Sequence, residues 1–171
     1  LSTEGVARAL RAFTEQKLGL IDYEIIPPTT QMFISSEVLE IRPSISAGIV
    51  RGVTLDDVAI KSLMELQEKL HVTLGRKRKK VSIGIHDLSK LEGPFSYEIC
   101  SPHEPAFVPL QKDYEMTPQE ILEEHPKGIE YAHLLSEFNK YPIIKDSNDE
   151  VVSLPPIING AFTTITEDST D

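Results

Sequence analysis

The sequence predicts an α+β domain built on a mixed, mostly antiparallel sheet with flanking helices. Apolar residues between positions 56 and 75 recur with the spacing of one helix face. Two turn signals, Gly93-Pro94 and the tetrad 146–149, each adjoin segments with the composition of strands. Because several predicted strands are joined by hairpins, most neighbouring strands are expected to be antiparallel.

The composition is that of one globular domain. The chain has 171 residues, of which 40% are hydrophobic and 26% are charged, so extensive disorder is excluded. Its single cysteine, Cys100, excludes an intrachain disulfide and a zinc site built on paired cysteines. No apolar run reaches the roughly 18 residues of a membrane span and no signal segment occurs, so we expect a cytoplasmic protein without a membrane partner. Since the first residue is Leu1, we also expect a fragment of a longer chain.

A leading helix is predicted at the start of the chain. Ser2 or Thr3 can cap this helix, which is expected to end near Gly19. The residues that fall on its apolar face are Val6, Leu10 and Phe13.

An irregular connector follows the leading helix. Pro27 and Pro28 forbid a regular element around them, although residues 23–26 have the composition of a short strand. We therefore divide the chain into a leading helix with its connector, residues 1–36, and a domain core, residues 37–171.

The first core strands are predicted on either side of Pro43, over residues 38–42 and 45–53. The second of these segments contains Gly48 and Gly52, which have no side chain to keep another segment away. We therefore expect a close approach to the sheet at this strand.

The strongest helix signal begins at Asp56 or Asp57 and ends near Gly75. Its apolar face is formed by Ala59, Leu63, Leu66 and Leu70. Alternating residues then predict a strand over residues 81–86, and a second strand over residues 95–100 follows the Gly93-Pro94 turn.

The C-terminal half is predicted to contain two helices and a hairpin. Thr117 is expected to cap a helix that has Pro118 at its first position. A second helix is expected over residues 128–139. Strands over residues 141–144 and 150–154 flank the turn tetrad and form the hairpin.

A run of five consecutive cations lies on a chain with a formal net charge of −10. The acidic balance argues against a dedicated binder of duplex DNA. The run is compatible with a solvated loop, with a patch that contacts phosphates, and with a nuclear localisation signal, so these interpretations stay open. Its members are Arg76, Lys77, Arg78, Lys79 and Lys80.

None of the common catalytic signatures occurs in the sequence. A nucleophile elbow, a phosphate-binding glycine loop, a dinucleotide fingerprint and a zinc-protease motif are all absent. The histidines do not share a ligand spacing, so no metal site is predicted. Nothing in the sequence around Cys100 indicates an activated thiolate, and we expect it to be structural.

His86-Asp87 is a neighbouring imidazole–carboxylate pair at the predicted end of a strand. It is compatible with an acid–base pair, or with a turn that the Asp87 side chain caps. The following Leu88 and Leu91 suggest a packed turn, so we predict a structural role for both residues.

The most unusual segment is SLPPIING, residues 153–160. Its two prolines stiffen the backbone, and Asn159-Gly160 permits a tight turn. The expected result is a stiff loop, termed the proline loop below, that holds Ser153 and Asn159 in fixed positions. A plain turn that ends a strand is the alternative interpretation.

Two blocks of sequence resemble the beta subunit of phenylalanyl-tRNA synthetases of the archaeal and eukaryotic type, and in particular its editing module. They are RKRKKVSIGIHDLSKLEGPFSYE, residues 76–98, and YPIIKDSNDEVVSLPPIING, residues 141–160. The segments STEGVARALRAF and RPSISAGIVRGV are similar to the lead-in and to the first core strands of that module.

The resemblance implies that the module hydrolyses tyrosine wrongly attached to tRNA(Phe), while the alpha subunit carries out aminoacylation. It implies a cytoplasmic heterotetramer of two alpha and two beta subunits, with Mg and ATP used by the whole enzyme and no cofactor for this module. A non-catalytic tRNA-docking or subunit-packing domain is the alternative, because no catalytic group is self-evident.

The resemblance also implies an editing pocket lined by the hairpin and the proline loop, with the basic run contacting tRNA. The pocket residues are Ile144, Ser153, Leu154, Pro156, Asn159 and Gly160. No residue is assigned to catalysis. The family pattern continues into a further strand whose acidic residue and threonine face the same pocket. Since this chain stops at Asp171, we expect that strand to be missing.

Overall fold

The computed structural model describes residues 2–169. Within them, the sheet has five strands in the order β1-β2-β3-β4-β5, with β1 parallel to β2 and the other neighbours antiparallel. The strands are β1 Met32–Ile34, β2 Phe95–Cys100, β3 Tyr141–Lys145, β4 Val151–Leu154 and β5 Ile158–Asn159. This architecture confirms the predicted α+β class and the mixed, mostly antiparallel sheet.

The described α-helices are α1 Thr3–Phe13, α2 Asp57–Val72, α3 Pro118–Glu124 and α4 Pro126–Tyr131. Short 3₁₀ helices span Glu37–Glu40, Leu88–Lys90, Ala132–Leu134 and Ala161–Thr163. No described helix is both long enough and apolar enough to cross a membrane.

The helix starts follow the predicted capping residues, since a side-chain oxygen satisfies one of the free N–H groups at each N-terminus. Ser2 accepts from the amide of Gly5, and Asp56 accepts from the amide of Ala59 at 2.7 Å. Thr117 caps α3 in a reciprocal capping box with Glu120.

The hydrophobic core lies between one face of the sheet and helices α3 and α4. Alternate strand residues, among them Cys100, Tyr141, Ile143, Leu154 and Ile158, pack against Ile121, Leu122, Tyr131 and Leu135. The apolar face of α1 is not part of this core, because Val6, Leu10 and Phe13 are 39%, 54% and 85% exposed.

The predicted strands over residues 38–42 and 45–53 are wrong. Glu37–Glu40 is a 3₁₀ helix, and residues 43–56 have no regular structure. A strand is stable only beside a partner, and residues 46–50 are exposed. The glycine at position 52 has φ of +66°, which departs from strand geometry. Residues 23–26 are irregular as well, whereas β1 in the predicted connector was missed because it has only three residues.

The predicted strand over residues 81–86 is also wrong, because side chains of α2 take the place of a partner strand. The amide of Ile83 donates to His71 Nε2 at 2.8 Å, and the Ile83 carbonyl accepts from Gln67 Nε2 at 2.7 Å. These contacts hold the segment beside α2 and outside the sheet.

Two helix ends differ from prediction. The leading helix ends at Phe13, well before Gly19. The second C-terminal helix begins at Pro126, where His125 Nδ1 accepts from the amide of Lys127, and its α-helical part ends at Tyr131.

Candidate functional site

Three of the predicted pocket residues share one face of the sheet. Ile144 pairs with Tyr97 on one side and with Ser153 on the other, and Ser153 pairs with Asn159. Directly paired residues point to the same face, and this row is not part of the core under α3 and α4. Ile144, Ser153 and Asn159 therefore form a continuous row on the face opposite those helices.

Ser153 and Asn159 contact each other directly. Ser153 Oγ lies 3.1 Å from Asn159 Oδ1 and 3.2 Å from the carbonyl oxygen of Ile158, so its single proton is shared between two acceptors. Ser153 is only 6% exposed, whereas Asn159 is partly exposed. The buried Ser153 hydroxyl therefore holds the amide oxygen of the more exposed Asn159 side chain by a hydrogen bond.

The other predicted pocket residues lie elsewhere. Leu154 is fully buried in the core on the helix side, where its partner across the hairpin is Ile158. Pro156 is buried in the turn between β4 and β5. Gly160 is buried where the backbone passes close to β4, and its amide donates to the Val152 carbonyl at 2.9 Å.

His86 lies beside this row and is neutral at pH 7. Its Nδ1 is 2.8 Å from Thr163 Oγ1, and the same hydroxyl donates to the Gly160 carbonyl at 3.1 Å. The Thr163 oxygen therefore accepts from His86 Nδ1–H. Burial lowers the pKa of His86 to about 4.

Gly84 brings the segment before His86 close to Asn159. A Cβ atom at this position would lie 2.7 Å from His86 Nε2 and 3.3 Å from Asn159 Oδ1. Sequence reasoning missed Gly84 and Thr163. The signal for Gly84 was a glycine between Ile83 and Ile85 in an alternating segment, which indicates close packing.

Asp87 caps its own turn. Its carboxylate accepts from the amide and the hydroxyl of Ser89 at 2.9 and 2.7 Å, and from the hydroxyl of Ser169 at 2.7 Å. The predicted turn-capping role of Asp87 is confirmed. Cys100 is buried, and burial raises the pKa of its thiol to about 11, which is the state of a structural cysteine.

The basic run divides into two parts. Arg76, Lys77, Lys79 and Lys80 are exposed, as a phosphate-contacting patch requires. Arg78 points inward, with 11% of its side chain exposed, and its Nη1 donates to the Ile157 carbonyl at 2.7 Å.

Two surface depressions of the described residues are bordered by other side chains than those of the row. One is bordered by Ile99, Ser101 and Lys140, and the other by Ala106, Val108 and Phe162. Neither is lined by Ser153 or Asn159. Among residues 2–169, no three potential metal ligands of the His, Cys, Asp and Glu types cluster together.

No protein-family model matches the chain. Three curated archaeal proteins that it resembles are phenylalanine–tRNA ligase beta subunits. The identity is 52% over 170 residues for *Methanosarcina barkeri*, 49% over 170 residues for *Archaeoglobus fulgidus* and 48% over 169 residues for *Methanocaldococcus jannaschii*. Each match covers 99% of this chain, and the chain spans about a third of these relatives, namely 30–31% of their length.

A solved structure agrees with these relatives. The crystal structure of an N-terminal fragment of the phenylalanyl-tRNA synthetase beta subunit from *Pyrococcus horikoshii* superposes with a TM-score of 0.91 at 39% identity. The match covers 99% of this chain and 49% of that fragment. The chain therefore belongs to the family of phenylalanine–tRNA ligase beta subunits and matches part of an N-terminal fragment of that subunit.

Proposed function

We propose that this chain is an editing module that hydrolyses tyrosine from mischarged tRNA(Phe). The observation that carries the proposal is the row on the face of the sheet opposite α3 and α4, in which Ser153 donates to the amide oxygen of Asn159. Since that oxygen is occupied, the NH₂ group of Asn159 remains to donate to a ligand. The phenolic oxygen of tyrosine is an acceptor of the kind that such a group binds.

The need for a second site follows from the chemistry of the two amino acids. A pocket that accepts phenylalanine rejects an added hydroxyl only by roughly 10²-fold, whereas a site that hydrogen-bonds the hydroxyl rejects the analogue lacking it by roughly 10⁴ to 10⁵. Asn159 supplies the hydrogen bond in this proposal, and the partly buried Ile144 beside it supplies an apolar surface for the ring.

Hydrolysis of the tyrosyl ester does not need a strong nucleophile. The ester is already activated, so a positioned water and donors to the developing oxyanion are sufficient. The water oxygen bonds to the acyl carbon, the bond from that carbon to the ribose oxygen breaks, and the proton passes to the ribose oxygen. The neutral His86, whose Nδ1 is engaged with Thr163, is a structural neighbour of the row in this scheme.

In the whole enzyme we place this module in a cytoplasmic heterotetramer of two alpha and two beta subunits, with tRNA(Phe) as the nucleic-acid partner. Aminoacylation, with its ATP and Mg, belongs to the alpha subunit in this proposal.

A non-catalytic tRNA-docking or subunit-packing domain is the second candidate. It is favoured by the apolar face of α1, on which Leu10 and Phe13 are 54% and 85% exposed.

Deacylation of Tyr-tRNA(Phe) and Phe-tRNA(Phe) separates the two candidates. Both esters are incubated with the 171-residue chain and with a whole beta subunit bound to its alpha subunit, beside a protein-free control. If the chain is an editing module, the whole enzyme is expected to release tyrosine faster than phenylalanine, whether or not the 171-residue chain does so by itself. Release at the protein-free rate from both esters by both proteins would support the docking candidate.

Replacing Arg76, Lys77 and Lys79 by alanine is expected to weaken tRNA binding. Each lost phosphate contact removes about 0.7–0.9 units from the slope of log K against log salt concentration, so the slope is expected to fall by about two. Fluorescence anisotropy with labelled tRNA(Phe) over a salt series measures it. The matched control replaces the exposed Arg8, Arg11 and Lys17, which changes the net charge equally. An equal loss of slope in the control would show that the run has no special role.

A further inference from the structure

The third residue of the basic run sits in a strained turn that directs it inward. Arg76, Lys77 and Arg78 have φ of 50°, 53° and 63°. This left-handed conformation is unfavourable for L-residues and persists only where surrounding contacts fix it. Among those contacts are the ones that the Arg78 guanidinium makes with the proline loop.

Arg78 donates to two consecutive carbonyls of that loop. Its Nη1 lies 3.2 Å from the Pro156 oxygen and 2.7 Å from the Ile157 oxygen. Both carbonyls belong to the turn between β4 and β5, outside the ladder pairs of that hairpin. The guanidinium also stacks on Tyr131, with 4.3 Å from its central carbon to the ring centroid. The loop is thus bound to a side chain that is itself fixed against the core.

Charge pairing does not account for this placement. Glu68 Oε2 lies 3.5 Å from Arg78 Nη2, at the long end of hydrogen bonding, and the Glu68 side chain is 46% exposed. Nε of Arg78 is buried and has no hydrogen-bond partner within residues 2–169. A buried cation is in itself weak evidence for stability. The shortest contact of the guanidinium is the hydrogen bond to the Ile157 carbonyl in the proline loop. The guanidinium is therefore placed to hold this loop.

We propose that Arg78 is a positioning residue for the editing site. It fixes the turn at residues 155–157 and thereby maintains the pairing of Asn159 on β5 with Ser153 on β4. This inference rests on the proposed function. It divides the basic run by role, because the exposed cations contact tRNA phosphates while Arg78 holds the loop that presents Asn159.

The first test is amide hydrogen exchange of the Arg78→Met variant. The amides of Ile157 and Gly160 donate to the Leu154 and Val152 carbonyls at 2.8 and 2.9 Å. Their exchange is expected to become about tenfold faster, since hydrogen bonds from a charged donor are lost. Exchange in α3 is expected to stay unchanged. The matched control is Lys127→Met, which removes another cation from the same Tyr131 ring and makes no described contact with the loop.

The second test separates catalysis from tRNA binding. In single-turnover deacylation of Tyr-tRNA(Phe) by the whole enzyme, Arg78→Met is expected to lower the saturating rate constant about tenfold and to change the tRNA Kd less than about twofold. An increase in Kd with an unchanged rate constant would overturn the proposal, because Arg78 would then be a phosphate contact.

Unchanged exchange at Ile157 and Gly160 in Arg78→Met overturns the proposal. If that variant does not fold, Arg78→Lys replaces it, because lysine keeps the charge but has no planar guanidinium that can stack on Tyr131 while it donates to the loop. Wild-type exchange in Arg78→Lys then overturns the proposal, and faster exchange confined to the loop supports it. If the wild-type enzyme does not hydrolyse the ester, the editing proposal fails, and the exchange result alone decides whether Arg78 holds the loop.

Discussion

Replacing Gly160 by alanine is expected to destabilise the protein by about 3 kcal/mol, as overpacking and disturbed hydrogen bonds combine. A Cβ at this position would lie 2.4 Å from the Val151 carbonyl oxygen, which belongs to the backbone and cannot move aside alone. The glycine has φ of −66° and ψ of 140°, which any residue adopts, so the effect arises from space and not from conformation. Moving the segment away would also disturb the bond from the Gly160 amide to Val152.

Chemical denaturation of the variant measures this loss. Gly48→Ala is the matched control, because a Cβ there meets nothing within 4 Å. Its effect is expected to stay within about 0.5 kcal/mol. Equal midpoints for the two variants would show that the backbone around Gly160 accommodates a methyl group.

A loss of stability between pH 6.5 and pH 4 is expected from His86. Its folded-state pKa is lowered from 6.5 to about 4 by burial. The unfolded chain therefore takes up the proton first as the pH falls, so the stabilisation is complete above pH 6.5 and is lost progressively down to about pH 4. Below that pH both states carry the proton and this contribution is constant. At about 1.36 kcal/mol per pKa unit, the total is about 3 kcal/mol.

The contribution of His86 is isolated by comparing the wild type with His86→Gln in urea denaturation at each pH. The comparison is needed because burial also lowers the pKa of His71 and His125. Replacing the exposed His133 by glutamine is the control and should leave the profile unchanged. The prediction is wrong if His86→Gln and the wild type lose the same stability over this pH range.

Deacylation by the His86→Gln variant is expected to stay within a few-fold of the wild type at pH 7. The ring is a neutral hydrogen-bond donor to Thr163 in this account. A general acid or base contributes at least about 10²-fold. A rate loss of that size with unchanged stability would identify His86 as a catalytic residue.

Capping and turn residues in the sequence correctly predicted those helices and the hairpin whose ends are set by residues nearby in the chain. The Asp56 cap of α2, the Thr117-Pro118 start of α3 and the hairpin around residues 146–149 each combine a turn or cap with hydrophobic periodicity. Residues 45–53 and 81–86 carry the same alternation as true strands. Alternation of polar and apolar residues indicates which side chains face inward. A strand also needs a hydrogen-bonding partner, and whether a partner strand is present depends on the tertiary structure.

The candidate site shows the same limit. The stiffness of the proline loop was visible in Pro155 and Pro156, but the contact between Ser153 and Asn159 depends on the β4–β5 pairing. Leu154 follows Ser153 directly and therefore faces the core. The inward direction of Arg78 depends on three successive left-handed residues, and such a conformation has no signature in a run of arginine and lysine.

Asn159 is proposed to discriminate tyrosine from phenylalanine, and the Asn159→Ala variant isolates that role. Its single-turnover rates on Tyr-tRNA(Phe) and Phe-tRNA(Phe) are compared with those of the wild-type whole enzyme. Ser153 keeps the Ile158 carbonyl as an acceptor in this variant, so its hydroxyl is not left unpaired. The exposed Asn148 in the β3–β4 turn gives the control, Asn148→Ala.

Loss of one hydrogen bond to the phenolic hydroxyl is expected to slow hydrolysis of the tyrosyl ester about tenfold, toward the upper end of what a neutral hydrogen bond contributes. Hydrolysis of the phenylalanyl ester should change much less, since phenylalanine offers nothing for the amide to bind. Equal losses on both esters would contradict the account, because Asn159 would then act on the ester or the water that both substrates share.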